Sequence, residues 1–393
     1  MKKKIIIACL IFLLVFSMGL IAIQFLEKNK SESLLLENIQ EEIDISEAEN
    51  EISWPDNGIF SEYYQNAYAL LQTLTLDEKI GQLFLVRYPN ENQISILEQY
   101  HFGGYIFFAK DFKNKQEKQV QDEIKELQAI SNIPILTAVD EEGGTIVRIS
   151  SNRNLAKSKF KSPMELYQLG GFDKIVADTK EKSNVLSNLG INLNLAPVVD
   201  VSTNANDYMY KRTLGKGTEL TSTYAQTVIS ASKGTNVSYT LKHFPGYGNN
   251  VDTHKGTSVD KRTYEYILNN DLPPFQAGIE AGAEAVLVSH NIVTSIDGNN
   301  PASLSPEIHE LLRNDLGFTG VIITDDLAMA AVSKDEDVTV KAILAGNDIM
   351  ITTDYEQSIV SVKQAITEEK ISEEMIDKLV FRVLAWKYYK GLM

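Results

Sequence analysis

Cysteine is almost absent from these 393 residues: Cys9 is the only one, which excludes a disulfide framework and any thiolate metal site. Histidine is nearly as scarce. His101, His243, His254, His290 and His309 are the full set, without the spacing of a zinc centre, so no metal and no cofactor is expected. Positive charge is outweighed, with 37 Lys and Arg against 53 Asp and Glu and a formal charge of −16. That balance argues against nucleic acid or an anionic membrane surface as the main partner. Phosphate-binding glycine patterns are missing: "DEEGGTIVR" lacks the G-x-G-x-x-G spacing, and no G-x-x-x-x-G-K-[ST] occurs. A serine triad has no support either, since no serine sits on a G-x-S-x-G elbow.

What is present begins with one long apolar run. Lys2, Lys3 and Lys4 precede residues 5–26, 22 uncharged positions that as a helix would span roughly 33 Å, enough to cross a hydrocarbon core. A secretory apolar segment is shorter and ends at a small-x-small site; "FSMG" is a poor one, and the run continues past it. The lysines favour a cytoplasmic amino terminus. Residues 1–26 therefore read as a signal anchor in the cell membrane with the remainder extracytoplasmic; secretion after cleavage is the alternative. Residues 27–53 are acidic and polar, without glycine or aromatics, and read as a stalk.

From residue 54 to 393, short apolar runs alternate with amphipathic helical stretches. Eight strand candidates lie at 80–88, 103–110, 133–144, 191–201, 237–246, 283–293, 320–329 and 347–355. Each is continuously apolar over several residues, as parallel strands buried on both faces require. Helical patterns fall between them, at 115–130, 174–190 and 305–317, the last opening on Ser305 and Pro306 and closing at Gly317. Eight β-then-α units predict a (β/α)8 TIM barrel of class α/β, with a doubly wound open sheet as the alternative. The closing stretch "SEEMIDKLVFRVLAWKYYKGLM" reads as a helix packed on the barrel.

Polar residues collect where the strands end. Asp140, Glu141 and Glu142 follow "ILTAV", Asp200 follows "APVV", Lys242 and His243 follow "SYTL", Ser289, His290 and Asn291 follow "AVLV", and Asp325 and Asp326 follow "GVIIT". In a barrel all of these reach the C-terminal rim, where such folds place their chemistry. Helix capping accounts for one or two of them, not for five clusters. Carboxylates and cations converging on one cavity suit sugar chemistry, in which they grip hydroxyls while one carboxylate attacks the anomeric carbon.

The segment "KHFPGYGNNVDTHKG" (242–256), with "AVDEEGGTIVR" and "GVIITDDLAM", resembles family 3 glycoside hydrolases, in particular their β-N-acetylhexosaminidase branch. The resemblance runs from about residue 70 to about 355. It implies a (β/α)8 barrel and a retaining, two-step hydrolysis without metal. Asp325, the first aspartate of "TDD", matches the family's nucleophile, and Asp326 is left to cap the following turn. His254 matches an acid/base carried on a mobile loop, paired to Asp252. Asp140, Arg148, Arg212, Lys242 and His243 match the sugar-binding set, with Arg212 in "YKRTLG" the loosest of the matches; Glu142 reads as supporting them.

A histidine in that role is chemically sensible, because an imidazole titrates near neutrality and can both protonate a leaving oxygen and activate water. The glycines and asparagines of "GYGNN" suit a loop that swings. Two departures stand out: Tyr247 where the family usually has a second histidine, and Thr253 where it has serine.

The function these readings predict is an exo-β-N-acetylglucosaminidase acting on terminal N-acetylglucosamine of peptidoglycan fragments or chitooligosaccharides. It is expected to be monomeric and tethered to the membrane by its first helix. The rival readings are a β-glucosidase or phosphorylase using the same site, and a barrel that binds wall glycans without cleaving them.

Overall fold

The computed structural model describes residues 54, 56–250, 252–253, 256–335 and 337–393. The anchor and stalk readings, on residues 1–53, and His254 lie outside the described residues. Among the described residues no helix is long and apolar enough to cross a membrane.

The strands, in chain order, are β1 (Phe84–Arg87), β2 (Gly104–Phe107), β3 (Leu136–Val139), β4 (Leu193–Asn194), β5 (Ser238–Phe244), β6 (Ser258–Asp260), β7 (Ala285–Val288), β8 (Asn291–Val293), β9 (Val321–Thr324) and β10 (Met350–Thr352). Eight of them form one sheet in the order β10-β1-β2-β3-β4-β5-β7-β9. Every pairing in it is parallel. Its two edges meet through an isolated parallel bridge between Ile323 and Ile349, supported by Thr324 N–H donating to the Ile349 carbonyl at 3.0 Å. The sheet thus curls into a nearly closed barrel of the TIM type. Each of the eight strands falls within one of the eight predicted runs. Their residues are buried except for Arg87 at the end of β1, which is why the runs are continuously apolar rather than alternating.

Three boundaries differ from the sequence reading. Ile80, Gly81 and Gln82 end the helix Leu76–Gln82, capped by Thr75, so β1 starts later than the apolar run does; hydrophobicity alone does not separate a buried helix end from a buried strand. The predicted helix at 174–190 is the second half of a longer one, Pro163–Asn188, which starts at a Ser162–Glu165 capping box and breaks at Gly170 and Gly171. The pattern at 305–317 begins as predicted, with the Ser305 hydroxyl accepting the Ile308 N–H and Pro306 in the first turn. It then passes into a π-helical turn, Leu311–Asp315.

The remaining strands, β6 and β8, pair in parallel with each other. They lie in the connections that follow β5 and β7, at the C-terminal end of the barrel. The opposite end is closed by the last helix, Glu373–Tyr389. Its Trp386 is fully buried, with the indole N–H 2.9 Å from Glu284 and 3.1 Å from the Ser238 hydroxyl.

Candidate active site

The C-terminal rim surrounds a cavity of about 510 Å³ whose walls include Asp140, Arg148, Arg212, Lys242, His243 and Asp325. That volume suits a small-molecule ligand. Six side chains predicted from four separate stretches of sequence therefore meet in one place.

Their positions follow from local backbone requirements. After β3 the chain turns at Gly143 and Gly144, both at positive φ; a Cβ on Gly143 would lie 2.1 Å from the Lys161 carbonyl oxygen. The turn sends the chain back past buried Glu141, whose carboxylate accepts the N–H groups of Arg148 (2.8 Å) and Ile149 (2.7 Å). Arg148 is thereby held 3.3 Å from Asp140. The rings and charges pack too: Arg148 and Arg87 both lie over Phe108, at 5.3 and 4.4 Å from its centroid.

Lys242 comes from β5, where the pairing with β7 shifts register between Lys242 and Phe244. Its ammonium reaches Asp140 and Glu142, both at 2.7 Å. Arg212 grips Glu142 with two N–H groups, at 2.6 and 2.9 Å. The result is a lattice of three cations and two carboxylates. Burial pushes the Asp140 and Glu142 carboxyls up, but Lys242 and the arginines outweigh it and hold both below the usual carboxylate range. Burial likewise pulls Lys242 and Arg212 down, and their anionic partners more than reverse it. All four groups stay charged, so a hydroxyl entering the cavity meets fixed donors and acceptors.

His243 is oriented from behind. Its Nδ1 lies 2.8 Å from Asp200, which can only accept, so that nitrogen carries the proton. Its Nε2 then faces the Arg212 guanidinium at 3.3 Å, a group that can only donate.

Asp325 stands at the end of β9, half-buried, with its N–H on the Val288 carbonyl (3.0 Å) and one carboxylate oxygen accepting the Asp326 N–H (2.9 Å). The other carboxylate oxygen carries no hydrogen bond among the described residues. Asp326 instead accepts the Ala328 N–H (2.9 Å) and caps the turn. Its carbonyl accepts from His290 Nε2 (3.0 Å), whose Nδ1 meets Ser303 (2.7 Å).

The family profile described as "Glycosyl hydrolase family 3 N terminal domain" matches residues 75–386. The chain belongs to glycosyl hydrolase family 3. Over 293 residues this family 3 chain is 30% identical to a beta-hexosaminidase of Xanthomonas oryzae pv. oryzae, covering 72% of this chain and 86% of that protein. It is 31% identical over 238 residues to a beta-hexosaminidase of Stenotrophomonas maltophilia, covering 58% of this chain and 68% of that protein. A solved family 3 beta-N-acetylglucosaminidase from Paenibacillus sp. str. FPU-7 superposes with a TM-score of 0.77 at 29% identity over 81% of this chain. The chain spans 63% of that protein's length. A beta-glucoside phosphorylase shares the fold, with a TM-score of 0.74 at 22% identity.

Of the eight residues predicted for the family 3 site, His254 lies outside the described residues and Asp252 is half-buried beside the cavity rather than in its wall. Tyr208 is on the wall, and burial, opposed by Arg212 and aided by the charge of Asp252, pushes its phenol up. Sequence reasoning placed Glu141 and Asp200 on the rim without giving them work. The structure shows them as the acceptors that orient Arg148 and His243, a role whose only signal in the chain was an acid at a strand end. His290 and Asn291, which the sequence also places at this rim, are fully buried and lie outside the cavity wall. The loop glycines also meet a packing requirement. A Cβ on Gly246 would meet Asp271 at 2.6 Å, and one on Gly248 would meet Arg262 at 2.4 Å, so both permit close packing.

Proposed function

We propose that this family 3 enzyme is a retaining exo-β-N-acetylglucosaminidase that removes terminal non-reducing N-acetylglucosamine from peptidoglycan fragments or chitooligosaccharides. The observation that carries the reading is that Asp325, with one carboxylate oxygen free of hydrogen bonds among the described residues, lines the same cavity as the lattice of Asp140, Lys242, Glu142 and Arg212. The likeness to beta-hexosaminidases at about 30% identity supports the choice of sugar.

In this mechanism Asp140, Arg148, Arg212, Lys242 and His243 bind the sugar hydroxyls and fix the ring. The Asp325 carboxylate attacks the anomeric carbon as the glycosidic bond breaks. His254, oriented by Asp252, gives its proton to the leaving oxygen, and then removes a proton from the water that hydrolyses the glycosyl ester. Two successive displacements retain the configuration. Because the fixed charges of the lattice are already in place, they cost no reorganisation as charge develops on the sugar. The proposal includes a membrane anchor at residues 5–26, supported by that run's length and its flanking lysines.

The test is hydrolysis of nitrophenyl N-acetylglucosaminide and nitrophenyl glucoside, with and without phosphate, followed by trapping with a 5-fluoro glycoside and peptide mapping. We expect the glucosaminide to be cleaved without phosphate and the label to sit on Asp325. Asp325→Asn should lower kcat by roughly four orders of magnitude or more. A label on Asp326, or release that requires phosphate, would overturn the assignment.

A further inference from the structure

The two positions at which the loop departs from its family's pattern, Tyr247 and Thr253, touch each other. The Tyr247 hydroxyl lies 2.9 Å from the Thr253 hydroxyl and also accepts the Thr253 backbone N–H at 2.9 Å. Both residues are buried, at 2% and 1% exposure. A single phenol thus holds a loop residue by side chain and main chain together, across only six positions of sequence.

Tyr247 is itself firmly seated. Its ring packs with Val198 and Met209, and its N–H donates to Asp200 at 2.6 Å. Its carbonyl accepts the Asn250 side-chain amide at 2.9 Å. Asp200 is the same carboxylate that orients His243, so one buried acid ties the sugar-facing imidazole to the root of the loop. The Tyr208 ring is centred 5.8 Å from that of Tyr247. Tyr247, on the cavity wall, therefore holds Thr253, the residue immediately before His254 in the chain.

We propose that Tyr247 and Thr253 form a clasp that sets the position of the Asp252–His254 segment for proton transfer; this rests on the acid/base role proposed above. Tyr247 and Thr253 are positioning residues, acting on the leaving group only through that segment. The clasp has a property an imidazole at position 247 would lack. Burial pushes the Tyr247 hydroxyl up to about 12, so the clasp keeps its proton throughout the range in which a histidine titrates.

The test compares two substrates. Loss of the clasp should matter where the leaving oxygen needs a proton and matter little where it does not. Tyr247→Phe keeps the ring and removes the hydroxyl. We expect it to lower kcat/KM on N,N′-diacetylchitobiose roughly tenfold, the scale of the lost hydrogen bonds. On the 2,4-dinitrophenyl glycoside kcat/KM, which reports the first displacement alone, should change less than about twofold. Thr253→Val should behave alike, the double variant no worse than either single one, and Thr253→Ser as wild type. Equal losses on both substrates, additive effects, or a Thr253→Ser variant as poor as Thr253→Val would overturn the clasp.

Hydrogen exchange at the Thr253 amide provides a readout independent of turnover. It should quicken at least about tenfold in Tyr247→Phe; unchanged exchange would also overturn the clasp. If exchange quickens while the wild type cleaves neither glycoside, the clasp stands as a loop anchor and the function proposed above fails instead.

Discussion

At the scale of single residues, the site is a set of charges that need one another. Glu142 is 4% exposed and balances both Arg212 and Lys242. Its folded pKa lies below the unfolded value of about 4.3, so its stabilisation is fully present above that value and is lost as pH falls through the depressed folded value. Glu142→Gln should therefore cost about 3 kcal/mol at neutral pH, measured by denaturant unfolding, because two buried cations lose a counter-charge. The variant should also lose part of the wild type's acid-side decline in stability, and its KM should rise more than its kcat falls. The chain's residue types revealed that Glu142 stands at a strand end. They did not reveal that it is the hub of the lattice, because its partners come from positions 70 and 100 residues away.

At the scale of elements, the barrel strands are short and apolar, and the chemistry sits in the turns that leave them. The turn at Gly143 decides where Arg148 goes. With φ at +100° and the Lys161 carbonyl 2.1 Å from any Cβ, Gly143→Ala would have to shift the backbone. We expect a destabilisation of about 1–3 kcal/mol. Displacement of Arg148 from Asp140 should appear as a raised KM on the glucosaminide, with kcat less affected. Strand existence was legible because burial on both faces demands unbroken apolar runs. Strand boundaries were less so, as Ile80 shows: its side chain is fully buried in a helix, and apolarity does not record backbone geometry. The Ser305 cap was legible because capping is a local act of one hydroxyl on one N–H.

At the scale of the whole folded unit, one end of the barrel holds the site and the other is closed by the last helix. Lys387 is fully buried there, its ammonium 2.6 Å from the Gln82 side-chain oxygen. Burial drops its pKa to about 7, against an unfolded value of about 10.4. Between these values the unfolded chain holds the proton and the folded chain does not, so stability rises with pH across that interval and is lost as pH falls through 7. Urea unfolding from pH 6 to 10 should show this rise in the wild type, and Lys387→Met should flatten it. An equal slope in both proteins would place the proton uptake elsewhere.

The sequence by itself determined the eight strands of the barrel, the rim on which polar residues collect, and the presence of Asp325, Lys242 and Asp140 in the wall of one cavity, because periodicity, strand-end polarity and motif spacing are local properties of the chain. Tertiary structure alone decided which charges share a partner, which acids orient which cations, and why Tyr247 and Thr253 belong together. Those are side-chain contacts, 70 and 100 positions apart in the chain for Glu142 and six apart for Tyr247, and they exist only once the fold brings the partners together and removes water from between them.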